Sequence, residues 1–85
     1  MEEIKTKKVI VYGTQWCGDC RRTHAFLDEN KIDYIWIDIE EDLEAQKLVQ
    51  KINRGNCSVP TLVFPDGSIL TEPSNQELAG KFGIH

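Results

Sequence analysis

The chain has no long apolar run, no surplus of positive charge, no even set of cysteines and no repeat. Nothing in its 85 residues approaches the roughly 20 apolar residues of a membrane span. The first residues, Met1-Glu2-Glu3-Ile4-Lys5, mix charges and lack the apolar block of a secretion signal, so the cytoplasm is the expected location. Lys and Arg number 10 against 14 Asp and Glu, a formal net charge of −4, which argues against a general nucleic-acid binder. Basic residues gather only weakly. Lys5, Lys7 and Lys8 read as solvated surface, whereas Arg21-Arg22 lie beside two cysteines. The cysteines number 3, where a secreted disulfide framework calls for an even set. One close pair, Cys17 and Cys20, with a separate Cys57, points to reactive rather than structural sulfur. No linker or low-complexity segment divides the chain, so one domain over residues 1–85 is expected. A chain this short buries only roughly 60–65% of its unfolded surface, which makes its core modest.

What is present is a pattern of alternating strands and helices. Thr6 to Tyr12 reads as a first strand, its apolar run fitting a central strand covered on both faces. Gly18 to Asn30 is helical in pattern, with Cys20, Thr23, Phe26 and Leu27 on one face. Ile32 to Ile39 reads as a second strand, Ile35, Ile37 and Ile39 alternating with Trp36 and Asp38. A second helix runs from about Glu41 to Arg54, with the apolar stripe Ala45, Leu48, Val49 and Ile52. Its acidic start and basic end suit the helix dipole, and Gly55 is its expected stop. Thr61 to Phe64 is a third strand, Pro65-Asp66-Gly67-Ser68 a turn, and Ile69 to Thr71 a returning fourth. Ser74 and Glu77 have capping-box spacing before a last helix. The order β-α-β-α-β-β-α implies an α/β fold: a four-stranded mixed sheet with three helices on its two faces, the first two strands parallel.

Trp16-Cys17-Gly18-Asp19-Cys20 carries the chemistry. Two cysteines three apart, where a strand turns into a helix, can close a small disulfide ring. The helix start beside them is expected to favour a thiolate over a thiol. In a small chain with a βαβ pattern this is a redox motif before anything else.

These features together resemble the glutaredoxin family of the thioredoxin superfamily. The Cys17-Gly18-Asp19-Cys20 motif, the Ser58-Val59-Pro60 tripeptide before the third strand and the element order carry the likeness, which extends from about Lys7 to Phe82. Trp16, the Asn53-x-Gly55-Asn56 run and the stretch from Asp66 to Ser74 are similar to the mycoredoxin-like, actinobacterial branch. The chain departs from common glutaredoxins in three places. Gly-Asp stands between the cysteines instead of Pro-Tyr or Pro-Phe. Thr14 stands where many carry a lysine. Leu70-Thr71-Glu72-Pro73-Ser74 replaces the Gly-Gly pair usual in glutathione-using members.

The resemblance implies a thioredoxin-like fold and a thiol–disulfide oxidoreductase that reduces protein disulfides or protein–small-thiol mixed disulfides. Cys17 would be the nucleophile and Cys20 the second thiol. Trp16, Ser58, Val59, Pro60 and Ser74 would contact substrate, with Val59-Pro60 in the cis form. No cofactor or metal is implied beyond the cysteine pair, and a small thiol such as glutathione or mycothiol would be the co-substrate. Client disulfide proteins and a thioredoxin reductase are the expected partners, with neither nucleic acid nor membrane, and a monomer is the default state. The family's potential lies at about −200 to −230 mV. Two other readings use the same cysteines: a metal or iron–sulfur carrier, adding Cys57 or His24, and a thioredoxin-like electron donor. Of the remaining residues, Asp19 is expected to pair with Arg21 or Arg22 or to face solvent. Trp36 reads as core or sheet surface, and His24, Lys47 and Cys57 as surface.

Overall fold

A computed structural model describes residues 8–84. The elements are β1 (Val9–Gly13), α1 (Gly18–Glu29), β2 (Tyr34–Asp38), α2 (Leu43–Ile52), β3 (Thr61–Val63), β4 (Ile69–Thr71) and α3 (Asn75–Phe82), in the expected order. The expected start of the first strand at Thr6, and Lys5 and Lys7, lie outside the described residues.

The strands form one sheet in the order β2-β1-β3-β4. Because a helix joins them, β1 and β2 run parallel, with Val9 opposite Tyr34 and Gly13 opposite Asp38. β3 runs antiparallel to both β1 and β4. The alternation of strand side chains sorts the core into two layers. Val9 and Val11 of β1, with Leu62 and Phe64, pack against Leu27 of α1 and Leu78 of α3. Ile10 and Tyr12, with Ile37 and Val63, face Ala45 and Val49 of α2 on the other side. The helices thus cover both faces, and the C-terminal end of β1 emerges between them, leading straight into the cysteine loop.

Several boundaries differ from the sequence pattern for local reasons. α2 starts at Leu43, because the Asp42 side chain accepts the Ala45 N–H at 3.0 Å as the N-cap. It ends through Arg54, at φ 58°, with Gly55 following at φ 99° and its N–H returning to the Gln50 carbonyl. β2 starts late because Ile32 is spent on closing α1, donating its N–H to the Leu27 carbonyl at 2.9 Å. Leu48, placed on the buried stripe by its spacing, is exposed. The Ser74–Glu77 capping box forms in both directions, at 3.1 and 2.9 Å.

His24 departs furthest from expectation. It is half-buried, its ring 4.2 Å from that of Trp36, and its Nδ1 lies 2.7 Å from the Tyr34 hydroxyl. Tyr34 in turn donates to Asp28 at 3.2 Å. Burial lowers the His24 pKa from its ordinary value, against a weaker upward pull from Asp28. A histidine lowered by folding binds fewer protons in the native state than in the unfolded state. Its contribution is therefore intact above the unfolded pKa of about 6.5 and is lost as pH falls through the window below it. The urea midpoint is expected to drop on acidification from about pH 6.5, and the His24→Gln variant to show a flatter profile over that window.

Candidate active site

Cys17 is the N-cap of α1. Its backbone is extended (φ −82°, ψ 120°), and its sulfur accepts the backbone N–H of Cys20 at 3.3 Å. A helix start carries N–H groups without intrahelical partners, so this sulfur stands at the positive end of the helix dipole. Its thiol also points to the Val59 carbonyl at 3.7 Å. The Val59–Pro60 bond is cis, and Pro60 is buried behind it.

The Ser58–Pro60 loop is held by a side-chain network that starts at the end of α2. Asn53, the C-cap residue of α2, donates to the Thr61 hydroxyl at 3.1 Å and accepts from the Thr71 hydroxyl at 2.9 Å. Thr61 then donates to the Ser58 carbonyl at 2.8 Å. The Glu72 N–H donates to the Pro60 carbonyl at 2.8 Å, and Glu72 itself takes φ 50°. The backbone after β4 thus adopts a left-handed conformation that glycine favours, although a glutamate is present.

Cys20 is fully buried, whereas Cys17 is partly accessible. Burial, followed by the neighbouring Cys17 sulfur, pushes the Cys20 thiol up to about 12, against a counter-pull from the Thr14 backbone N–H. The Cys20 sulfur packs on Gly13, the last residue of β1. A Cβ at Gly13 would lie 2.7 Å from that sulfur and 2.5 Å from the tip of the Trp36 ring. Gly13 was not singled out by the sequence pattern, although a glycine ending a buried strand is the usual mark of close approach.

The other expected residues divide. Trp16 is 68% exposed and donates its indole N–H to the Glu40 carboxylate at 2.8 Å. Ser74 serves as the cap of α3. Next to it, the Pro73 carbonyl accepts from Arg22 at 3.1 Å, and Arg22 also pairs with Asp19 at 3.5 Å. Asp19 therefore takes Arg22, not Arg21, as its partner. Cys57 and Lys47 are exposed, and all three cysteines are free thiols. Among the described residues no group of three or more His, Cys, Asp or Glu side chains could hold a metal ion.

A cleft of about 400 Å³ opens at the cysteine loop, lined by Trp16, the residue before Cys17, and by Gln15, Arg21, Asp38, Glu40 and Glu41. A larger hollow of about 610 Å³ opens near Val9, at the far end of β1, where Phe64, Asp66, Lys81 and Phe82 are among its lining, and no cysteine lines it.

The glutaredoxin family model matches residues 9–69, from β1 through the cysteine loop and the Ser58–Pro60 loop to the first residue of β4. The chain belongs to the glutaredoxin family. A Mycobacterium tuberculosis protein assigned to the glutaredoxins is 43% identical over 76 residues, covering 89% of this chain and 90% of the relative. Mycoredoxin 1 of Corynebacterium glutamicum is 38% identical over 73 residues, covering 86% and 90%. The crystal structure of a glutaredoxin from Archaeoglobus fulgidus superposes with a TM-score of 0.71 at 28% identity, covering 88% of this chain and 85% of that one. The fold is thioredoxin-like, and the protein is a thiol–disulfide oxidoreductase of the glutaredoxin type.

Proposed function

We propose that Cys17 is the nucleophile and Cys20 the resolving thiol of a dithiol exchange that is recharged by a small thiol. The asymmetry of the pair carries this reading: one sulfur is accessible and faces a helix N-terminus, and the other is buried and held as a thiol. The Cys17 thiolate attacks one sulfur of a client disulfide. That S–S bond breaks, and the departing sulfur takes the electron pair and a proton. Cys17 is then in a mixed disulfide, no longer bears a charge and no longer holds the Cys20 thiol proton through a sulfur–sulfur hydrogen bond. Two of the influences that hold the Cys20 proton disappear with it. Cys20 releases its proton to water, attacks the Cys17 sulfur and expels the second client thiol. The protein has then given up two electrons and holds a Cys17–Cys20 disulfide. Two molecules of small thiol, themselves oxidised to a disulfide, restore it.

The substrate backbone lies against Val59, whose carbonyl already faces the Cys17 sulfur, with Ser58 and Pro60 framing that edge and Trp16 forming the opposite wall. Ser74 contributes at the margin, behind the Arg22–Pro73 contact. The name of the Corynebacterium relative and the absence of a Gly-Gly pair favour mycothiol over glutathione as the recharging thiol. The working state is a cytoplasmic monomer that passes electrons to disulfide-containing client proteins.

The test is recharging of the oxidised protein. Three systems are compared: mycothiol with its reductase, glutathione with glutathione reductase, and NADPH with thioredoxin reductase. Turnover fastest with mycothiol, and a midpoint potential near −200 to −230 mV, are expected. Reduction by thioredoxin reductase alone, with a potential near −270 mV, would make the protein a thioredoxin-like donor on a glutaredoxin frame.

A further inference from the structure

The cleft at the cysteine loop has a chemical bias that the exchange reaction itself does not require. Its walls are the two residues that bracket the nucleophile on the chain, Trp16 and Arg21, and the turn after β2 that supplies Asp38, Glu40 and Glu41. Three carboxylates thus face one guanidinium. The Asp38 carboxylate is fixed by accepting the Glu40 N–H at 2.8 Å, and Glu40 reaches across the cleft to the Trp16 indole at 2.8 Å. The ion pairs Arg22–Asp19 and Lys81–Asp66 both lie outside the cleft and use none of its carboxylates. The indole clamped by Glu40 is the most exposed large apolar side chain of the described residues, at 68%. An open indole face bordered by carboxylates matches the two attractions a Lys or Arg side chain can make at once, cation–π and Coulombic. An incoming carboxylate meets three like charges against the single guanidinium of Arg21, so the balance of the cleft is against it.

We infer that Glu40 is a specificity-determining residue: by clamping Trp16 and placing negative charge in the cleft, it selects client segments that carry Lys or Arg next to the reacting cysteine. The inference rests on Cys17 as the attacking sulfur, since only that brings the client into this cleft. It holds whichever client sulfur is attacked, because the residues next to the client cysteine enter with it. Charge and positioning are separable here. Glutamine at position 40 keeps an oxygen that can accept the indole N–H and loses only the charge, whereas alanine loses both.

The experiment uses the full reduced chain and three synthetic peptides of one sequence. Each carries its cysteine as a mixed disulfide with 2-mercaptoethanol, flanked by Lys, Gln or Glu. Single-turnover release of peptide thiol is measured at low and at high salt. The wild-type protein is expected to favour the Lys over the Glu peptide by about tenfold at low salt, falling towards parity at about 1 M, where the Debye length is about 3 Å. Glu40→Gln is expected to cut that ratio by about threefold, and the double variant Glu40→Gln/Glu41→Gln to cut it further. Glu29→Gln, an exposed charge at the far end of α1, is expected to leave it unchanged. A wild-type ratio near one, or a ratio that survives the double variant, overturns the inference. Equal loss of the ratio in Glu29→Gln also overturns it, since net charge would then be acting and not the cleft. Failure to reduce any of the three peptides is a distinct result: it removes the exchange reading itself, and the inference with it.

Discussion

Replacing Cys17 by serine is expected to reduce thiol–disulfide exchange to the uncatalysed background while leaving the fold intact or slightly more stable. The two effects come from one position. As the N-cap of α1, residue 17 accepts the Cys20 N–H, a task that sulfur performs at 3.3 Å and that a serine hydroxyl performs better. A stability gain of up to about 1 kcal/mol in urea unfolding is expected alongside the loss of activity. Function thus holds a weaker cap at the helix start than the helix alone would select. Cys20→Ser should behave differently. Cys17 still attacks, but nothing expels the second thiol, so a mixed disulfide on Cys17 accumulates and protein disulfides are no longer released. Cys17→Ser retaining turnover would place the chemistry elsewhere, and Cys20→Ser releasing protein disulfides at the wild-type rate would remove the resolving role.

Gly13→Ala is expected to be the most damaging substitution away from the cysteines. The new methyl would sit 2.7 Å from the Cys20 sulfur and 2.5 Å from the Trp36 ring, so these neighbours must shift to admit it. Cys20 is fully buried, and the Trp36 ring is backed by His24. Overpacking of this kind costs about 1–3 kcal/mol. It also displaces the Cys20 sulfur, so under the proposed exchange the mixed disulfide should persist longer than in the wild-type protein. Gly80→Ala makes the contrast. Gly80 is exposed within α3 and has nothing within 4 Å of a Cβ, so alanine there should stabilise by about 0.5–1 kcal/mol through helix propensity. Urea midpoints that move in the same direction for both would contradict the packing argument.

The parts of this fold that could be read from the chain are those that depend on near neighbours. The β1 apolar run, the Cys17–Cys20 spacing at a helix start, the Pro65–Ser68 turn and the Ser74–Glu77 cap are all decided within a few residues, and each stands where its pattern places it. Asn53 was visible only as part of a family-like run. Its work, tying the end of α2 to Thr61 and Thr71, depends on three segments meeting. The Trp16–Glu40 bond joins residues 24 apart in sequence, and nothing near either residue announces the other. His24 read as surface because it lies at the margin of the helix stripe. Trp36 and Tyr34, arriving from the edge strand β2, cover it. Leu48 shows the converse: helical spacing puts it in the stripe, yet it is exposed while Ala45 and Val49 of the same helix are buried.

The division of labour between the three thiols is tested most directly by trapping. The Cys20→Ser protein is reacted with one equivalent of a peptide–2-mercaptoethanol mixed disulfide, digested under acid conditions and mapped by mass spectrometry. The adduct is expected on Cys17 alone, with Cys57 free although it is the exposed thiol of the three. An adduct on Cys57, or one shared between the two, would show that accessibility governs reactivity in this chain rather than position at the start of α1.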